Sequence, residues 1–168
     1  ILEITGQILL VPPFFENFGK RLVKSPKVYF VDSGLACHLL GIESEKALNA
    51  SVFLGPVFEG FAASEIVKEQ LNAGKERALY YFRDRKGLEV DFIVPLGEKR
   101  LALLEAKATQ TPKPEMGRTL TQLAKHVERY DTRSYIVHRS QPGSEGASAL
   151  CPGVKAIAVD RLGAILGK

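Results

Sequence analysis

Two stretches constrain this chain more than any other feature: Glu89-Val-Asp-Phe-Ile-Val94 and Leu101-Ala-Leu-Leu-Glu-Ala-Lys107, in which apolar and charged residues alternate. Successive side chains on a strand point to opposite faces, so both stretches read as strands. In the first, Val90, Phe92 and Val94 fall on one face, with Glu89, Asp91 and Ile93 on the other. In the second, Leu103, Glu105 and Lys107 share a face. A three-residue loop at Gly97, Glu98 and Lys99 folds the pair antiparallel and sets Asp91 across from Glu105, whereas a two-residue turn at Gly97-Glu98 breaks that match. A slip of one residue sends the acids to opposite faces.

Two facing carboxylates repel unless a cation lies between them, and hard oxygen ligands of this kind suit Mg²⁺ or Mn²⁺. Asp91 and Glu105 are therefore candidate metal ligands. Lys107, one strand repeat beyond Glu105, is placed to orient an attacking water or to neutralise charge on phosphoryl oxygens. A third acid, Glu59, is expected from a preceding helix running from Pro56 to about Ala73. Proline favours the first turn and Gly74 closes the helix. Ala62, Ala63 and Ile66 lie at helical spacing from Glu59, which puts it on a stripe suited to close approach against a sheet. Charged residues alternating on a strand are also what the wet face of a half-covered sheet looks like, so spacing alone leaves both readings open.

Along the chain, Gln7 to Val11 and Lys27 to Val31 read as a hairpin appended to the main body, and Asp32-Ser-Gly opens a short helix ending at Gly41. A polar stretch then leads to the Glu59 helix. Ala78 to Arg83 reads as an aromatic strand, followed by a turn at Asp84-Arg-Lys-Gly87. Met116, Leu120, Leu123, Val127 and Tyr130 recur at helical spacing and predict an amphipathic helix over about 115–130. Ser134 to His138 and Val154 to Val159 read as buried strands separated by a flexible loop, with a last helix from Arg161 to Leu166. The aromatic strand and the two acid-bearing strands make an antiparallel meander. The strand, helix, strand order that follows favours a parallel pair with the helix as crossover.

With 168 residues, of which 45% are hydrophobic and 25% charged, the chain has material for one ordinary core and a small appendage. No apolar run reaches the roughly 20 residues that cross a bilayer, and no signal-peptide pattern opens the sequence, so no membrane partner is expected and a cytoplasmic location is. The start Ile-Leu-Glu-Ile, without Met, reads as a fragment of something longer. Cys37 and Cys151 are far apart and read as free thiols in a reducing compartment. His38, His126 and His138 show no ligand spacing, which argues against zinc. A net charge of +4 is compatible with nucleic acid. The basic cluster Lys20, Arg21, Lys24 and Lys27 is the candidate phosphate-contacting segment.

The order helix with Glu59, strand, strand with Asp91, strand with Glu105-x-Lys107, then helix resembles the PD-(D/E)XK nuclease superfamily, although Val90 stands where its eponymous proline would be. More of the chain is similar to the C-terminal region of a prokaryotic AAA+ ATPase family. The matching segments are Lys24-Ser-Pro-Lys-Val-Tyr-Phe-Val-Asp-Ser-Gly-Leu35, Gly55-Pro-Val-Phe-Glu-Gly-Phe61, Tyr81-Phe-Arg83 and Glu89-Val-Asp-Phe-Ile93. That resemblance implies the end of a winged-helix segment over residues 1–50 and a nuclease-like domain over 51–168. It implies a restriction-endonuclease-like α/β fold, a mixed sheet flanked by helices with a small N-terminal hairpin. It also places Glu59, Asp91, Glu105 and Lys107 at the superfamily's site positions.

The resemblance does not itself imply cleavage; the first functional reading is Mg²⁺- or Mn²⁺-dependent hydrolysis of DNA phosphodiesters. The alternatives are a DNA- or protein-binding module and a purely architectural domain of the ATPase. The chain lacks Gly-x-x-x-x-Gly-Lys-Ser/Thr, so ATP enters only through an N-terminal ATPase domain that would be its partner. Oligomers are compatible with all three readings.

Overall fold

A computed structural model describes residues 1–14, 25–140 and 146–166. Its frame is a six-stranded sheet in the order β3-β4-β5-β6-β8-β7. The strands are β3 (Tyr80–Arg83), β4 (Glu89–Gly97), β5 (Arg100–Lys107), β6 (Asp131–His138), β7 (Ser148–Cys151) and β8 (Val154–Ala158). β3, β4 and β5 form the expected antiparallel meander. Parallel pairing then runs from β5 to β6 and from β6 to β8. The edge strand β7 is antiparallel to β8 and occupies part of what the sequence reads as loop. Its Ser-Ala-Leu-Cys stretch is too short to show a period.

Both faces of the sheet are covered. On one side lie α3 (Leu54–Asn72), α5 (Gly163–Leu166) and a separate hairpin of β1 (Ile8–Val11) and β2 (Lys27–Phe30). Phe92, Val94, Ala102, Leu104, Tyr135 and Val137 meet Phe58, Ala62 and Ile66 of α3 there. The opposite core joins Val90, Ile93, Leu101, Leu103 and Ile136 to Leu120, Leu123 and Val127. That second layer is a 3-10 turn over Pro114–Gly117 followed by α4 (Arg118–Ala124). The predicted stripe packs as expected, but the helix stops early. His126 N–H already turns back to the carbonyl of Leu123 at 2.8 Å, an i→i+3 bond that tightens the last turn. Gly117 lets this layer sit close, since a Cβ there would stand 2.9 Å from Cys151 Sγ.

The helix α1 (Ser33–Leu39) starts at Asp32, whose carboxylate accepts the Gly34 and Leu35 N–H groups. The polar stretch before α3 contains a short helix, α2 (Glu45–Asn49), capped by the Ser44 hydroxyl. At five residues it is too brief for periodicity to reveal. The β1–β2 hairpin is tied to the main sheet where Phe14 N–H donates to the Tyr81 carbonyl and Tyr81 N–H to that of Pro12. The chain so covers the otherwise open β3 edge. Among the described residues no helix is long and apolar enough to cross a membrane.

Two irregularities in β4 decide where its side chains go. Near the turn, Pro95 pairs with Leu101 but Gly97 with Arg100, so Leu96 is extra. The loop is therefore two residues, Glu98 and Lys99, rather than three, and the bulge at Leu96 restores the register a plain two-residue turn would lose. Phe92 faces Leu104, which leaves Asp91 and Glu105 as the next pair in line. On the other edge, Tyr80 pairs with Ile93 and Phe82 with Val90, so Asp91 and Phe92 together oppose Tyr81. Strict alternation fails at this bulge: Val90 and Ile93 both pack in the α4 layer, while Phe92 packs in the α3 layer.

Leu104 has no exposed surface, so Leu104→Ala should lower unfolding free energy by about 2–5 kcal/mol in a denaturant titration. Val28→Ala, at a side chain left largely exposed, should change it by less than about 0.5 kcal/mol.

Candidate functional site

The bulge opposite Tyr81 turns Asp91 toward the hairpin and α3. Its Oδ1 lies 3.0 Å from Lys27 Nζ. The same ammonium stands 2.8 Å from Glu59 Oε1 and 2.8 Å from Glu89 Oε1. Three carboxylates from α3 and β4 thus converge on one amine from β2. Tyr29, two residues along β2 on the same face, donates its hydroxyl to Glu59 Oε1 and rests its ring near Phe92. Arg83 holds the outer side of Glu89, with Nε 2.8 Å from Oε2. Lys27 Nζ also sits 5.6 Å from the centre of the Tyr81 ring, within cation–π range.

The second half of the cluster forms at the fork where β4 and β5 part. The β4–β5 ladder ends at Phe92 and Leu104, while β5 continues to Lys107 against β6. Asp91 Oδ2 takes up the Ala106 N–H at 3.0 Å at that point. Glu105 follows Leu103 on the row facing the α4 layer, so the single shared row expected for Asp91 and Glu105 does not form. The bulge sends Asp91 to the other row, and the two acids come within electrostatic reach at the fork. Glu105 Oε1 accepts from Lys107 Nζ at 2.8 Å. Its Oε2 is buried and, among the described residues, lacks a hydrogen-bond partner, though the Asp91 backbone N–H also favours the ionised Glu105 carboxylate. An orphaned carboxylate oxygen costs free energy unless something positive or a donor reaches it.

Burial, then the charges of Glu105 and Glu59, push the Asp91 carboxyl up to about 7, against the opposing pull of Lys27. Burial also raises Glu105, though Lys107 works the other way. For Lys27, burial favours the neutral amine, but Asp91 and Glu59 outweigh it and hold the ammonium above the ordinary lysine value. Glu89 behaves oppositely to Asp91: burial raises it, yet Lys27 and Arg83 together bring it below the usual carboxylate range. With all groups ionised, the four carboxylates Glu59, Glu89, Asp91 and Glu105 face three cations, Lys27, Arg83 and Lys107.

The structure therefore gathers Glu59, Asp91, Glu105 and Lys107 in one neighbourhood. Lys27 is drawn inward, into the acid cluster, rather than presented along an outer basic edge. Lys20, Arg21 and Lys24 lie outside the described residues. Sequence reasoning passed over Tyr29 and Glu89, and gave Lys27 a different place. The available signal was the alternation of Lys27 and Tyr29 on β2, which puts both on one face. Among the described residues no three His, Cys, Asp or Glu side chains form a ready-made metal cage. The carboxylates that converge do so on Lys27 Nζ.

Residues 54–151 match a family described as "Domain of unknown function (DUF4143)". Residues 1–46 match a second, described as "Domain of unknown function (DUF8612)". The chain is 42% identical over 101 residues to "Uncharacterized protein Mb2031c" of Mycobacterium bovis, and equally to "Uncharacterized protein Rv2008c" of Mycobacterium tuberculosis. Each match covers 60% of this chain and 22% of the relative, so the chain aligns with little more than a fifth of those proteins. No solved structure matches.

A carboxyl raised on folding binds a proton more tightly in the native state, so its contribution to stability is lost as pH rises. For Asp91 the window runs from its unfolded value of 3.8 to about 7. The melting temperature should fall as pH is raised from about 5 to about 8, and Asp91→Asn should flatten that slope. A slope unchanged by the substitution would show that Asp91 is not the group responsible.

Proposed function

We propose that this chain, which belongs to the DUF4143 family, is the C-terminal nuclease-fold domain of an AAA+ family ATPase and hydrolyses DNA phosphodiesters with Mg²⁺ or Mn²⁺. The observation that carries the reading is the buried Glu105 Oε2, without a hydrogen-bond partner among the described residues, beside a second buried acid and a lysine. That donor set fits a hard divalent cation in its chemistry: carboxylate oxygens, one of them without a hydrogen bond among the described residues, at positions where burial disfavours their charge. Asp91 and Glu105 would hold the ion, with Glu59 as accessory ligand. A divalent cation there would supply Lewis-acid polarisation of a phosphoryl oxygen and a more acidic bound water.

The remaining work falls to the chain itself. Lys107, 2.8 Å from Glu105 and partly open to solvent, can turn its ammonium toward a phosphoryl oxygen or an attacking water while staying in reach of Glu105. The Ala106 N–H fixes Asp91 by hydrogen bonding one of its oxygens, which limits the orientations available to the other. Tyr29 likewise fixes Glu59.

A non-catalytic DNA- or protein-binding module is the second reading, favoured by the way Lys27 already answers three of the acids. DNA cleavage in Mn²⁺ separates the two. Asp91→Ala and Lys107→Ala should each reduce cleavage by about 10²–10³-fold. Equal cleavage by wild type and both variants would assign the activity to a contaminant. DNA binding without cleavage, falling steeply with added salt, would favour the second reading.

A further inference from the structure

We infer that Lys27 is the resident cation of the acid cluster and competes with a divalent metal for it, so that the site accepts a metal only when this side chain swings out of the cluster. The inference rests on the metal reading above and adds a residue that controls access to it. Lys27 Nζ occupies the one point on which Glu59, Glu89 and Asp91 converge, at 2.8, 2.8 and 3.0 Å. Two of those contacts are to Glu59 and Asp91, acids that a metal there would need. Glu105, itself 8% exposed, keeps one oxygen unused at the edge of the same cluster.

Charge favours the exchange. With four ionised carboxylates against three cations, replacing one ammonium by a divalent ion neutralises the cluster, while the ammonium alone leaves one negative charge over. The part free to move is the Lys27 side chain on its flexible stem, since the hairpin itself buries Leu9 and Val11 in the core and is bonded to Tyr81 through Pro12 and Phe14. β2 pairs with β1 alone, in a two-stranded sheet apart from the main one. Its outer side chains Val28 and Phe30 are 59% and 41% exposed. The inner face is mixed: Leu9 and Val11 are buried in the core beside the Tyr29 ring, while Lys27, the Tyr29 hydroxyl on Glu59 and the Ser25 carbonyl that accepts from Tyr81 are its polar contacts. Withdrawing the ammonium leaves three carboxylates facing one another, a cost that an incoming divalent ion offsets.

Mn²⁺ binding, followed by calorimetry on wild type and Lys27→Gln, tests the competition. A site occupied by its own lysine in nine molecules of ten loses about tenfold in apparent affinity, so Lys27→Gln should bind Mn²⁺ at least about tenfold more tightly. Adding Asp91→Asn to Lys27→Gln should abolish that binding. On the wild type alone, amine acylation read by mass spectrometry should show Lys27 labelling faster once Mn²⁺ is present, a measurement that decides the matter even if Lys27→Gln does not fold. Equal affinities, or Lys27 labelling indifferent to Mn²⁺, would overturn the competition and leave the metal reading standing. Absence of Mn²⁺ binding in both proteins would overturn both.

Discussion

An ammonium held among three carboxylates is the interaction on which the arrangement of this molecule turns. Glu59, Glu89 and Asp91 approach one another at half-buried positions, where like charges cannot stay close without compensation. Lys27 supplies it from β2, which pairs with β1 rather than with a strand of the main sheet. Breaking one buried partner of such a cluster exposes the others to each other, which is why these contacts matter more than surface ion pairs such as that between Arg77 and Glu3. The apolar contact of Tyr29 with Phe92 fixes the hairpin in the orientation that delivers the amine.

The bulge at Asp91 and Phe92 is the second constraint, and it acts through the backbone. A regular strand would have sent Asp91 toward the α4 layer, beside Ile93 and Leu103 and away from Lys27. One extra residue turns it to the face where Lys27 and Glu59 stand. The bulge at Leu96 performs a complementary service at the other end of β4. It keeps Phe92 against Leu104 despite a two-residue loop, and so keeps Asp91 at the level of Glu105. Bulges of this kind re-aim side chains where a sheet does chemistry.

Much of this was legible in the sequence because period and punctuation agreed. Asp32 and Gly74 mark helix ends; the apolar spacing from Met116 to Tyr130 gives the α4 layer; strand, helix, strand order gives the parallel pairing of β5 with β6. The neighbourhood of Glu59, Asp91, Glu105 and Lys107 was also legible. What escaped was whatever depends on a broken period or on long-range contact. Alternation cannot announce its own failure, so the row Asp91 takes was misread. Short elements such as α2 and β7 carry too few residues to show a pattern. Lys27, sixty-four residues before Asp91, belongs to a basic run whose local composition says nothing of its distant partners.

The hairpin's amine also bears on how the polypeptide should be divided. Family boundaries fall between residues 46 and 54, and a cut there would look natural on sequence grounds. Yet such a cut runs between Lys27 with Tyr29 on one side and Glu59 with Asp91 on the other. A truncated piece starting after it would carry an uncovered anionic hollow and a bare aromatic ring at Phe92. Its appetite for ions, its solubility and its optimum pH would then report the wound made by excision. Here the sensible unit of dissection is wider than either family alone.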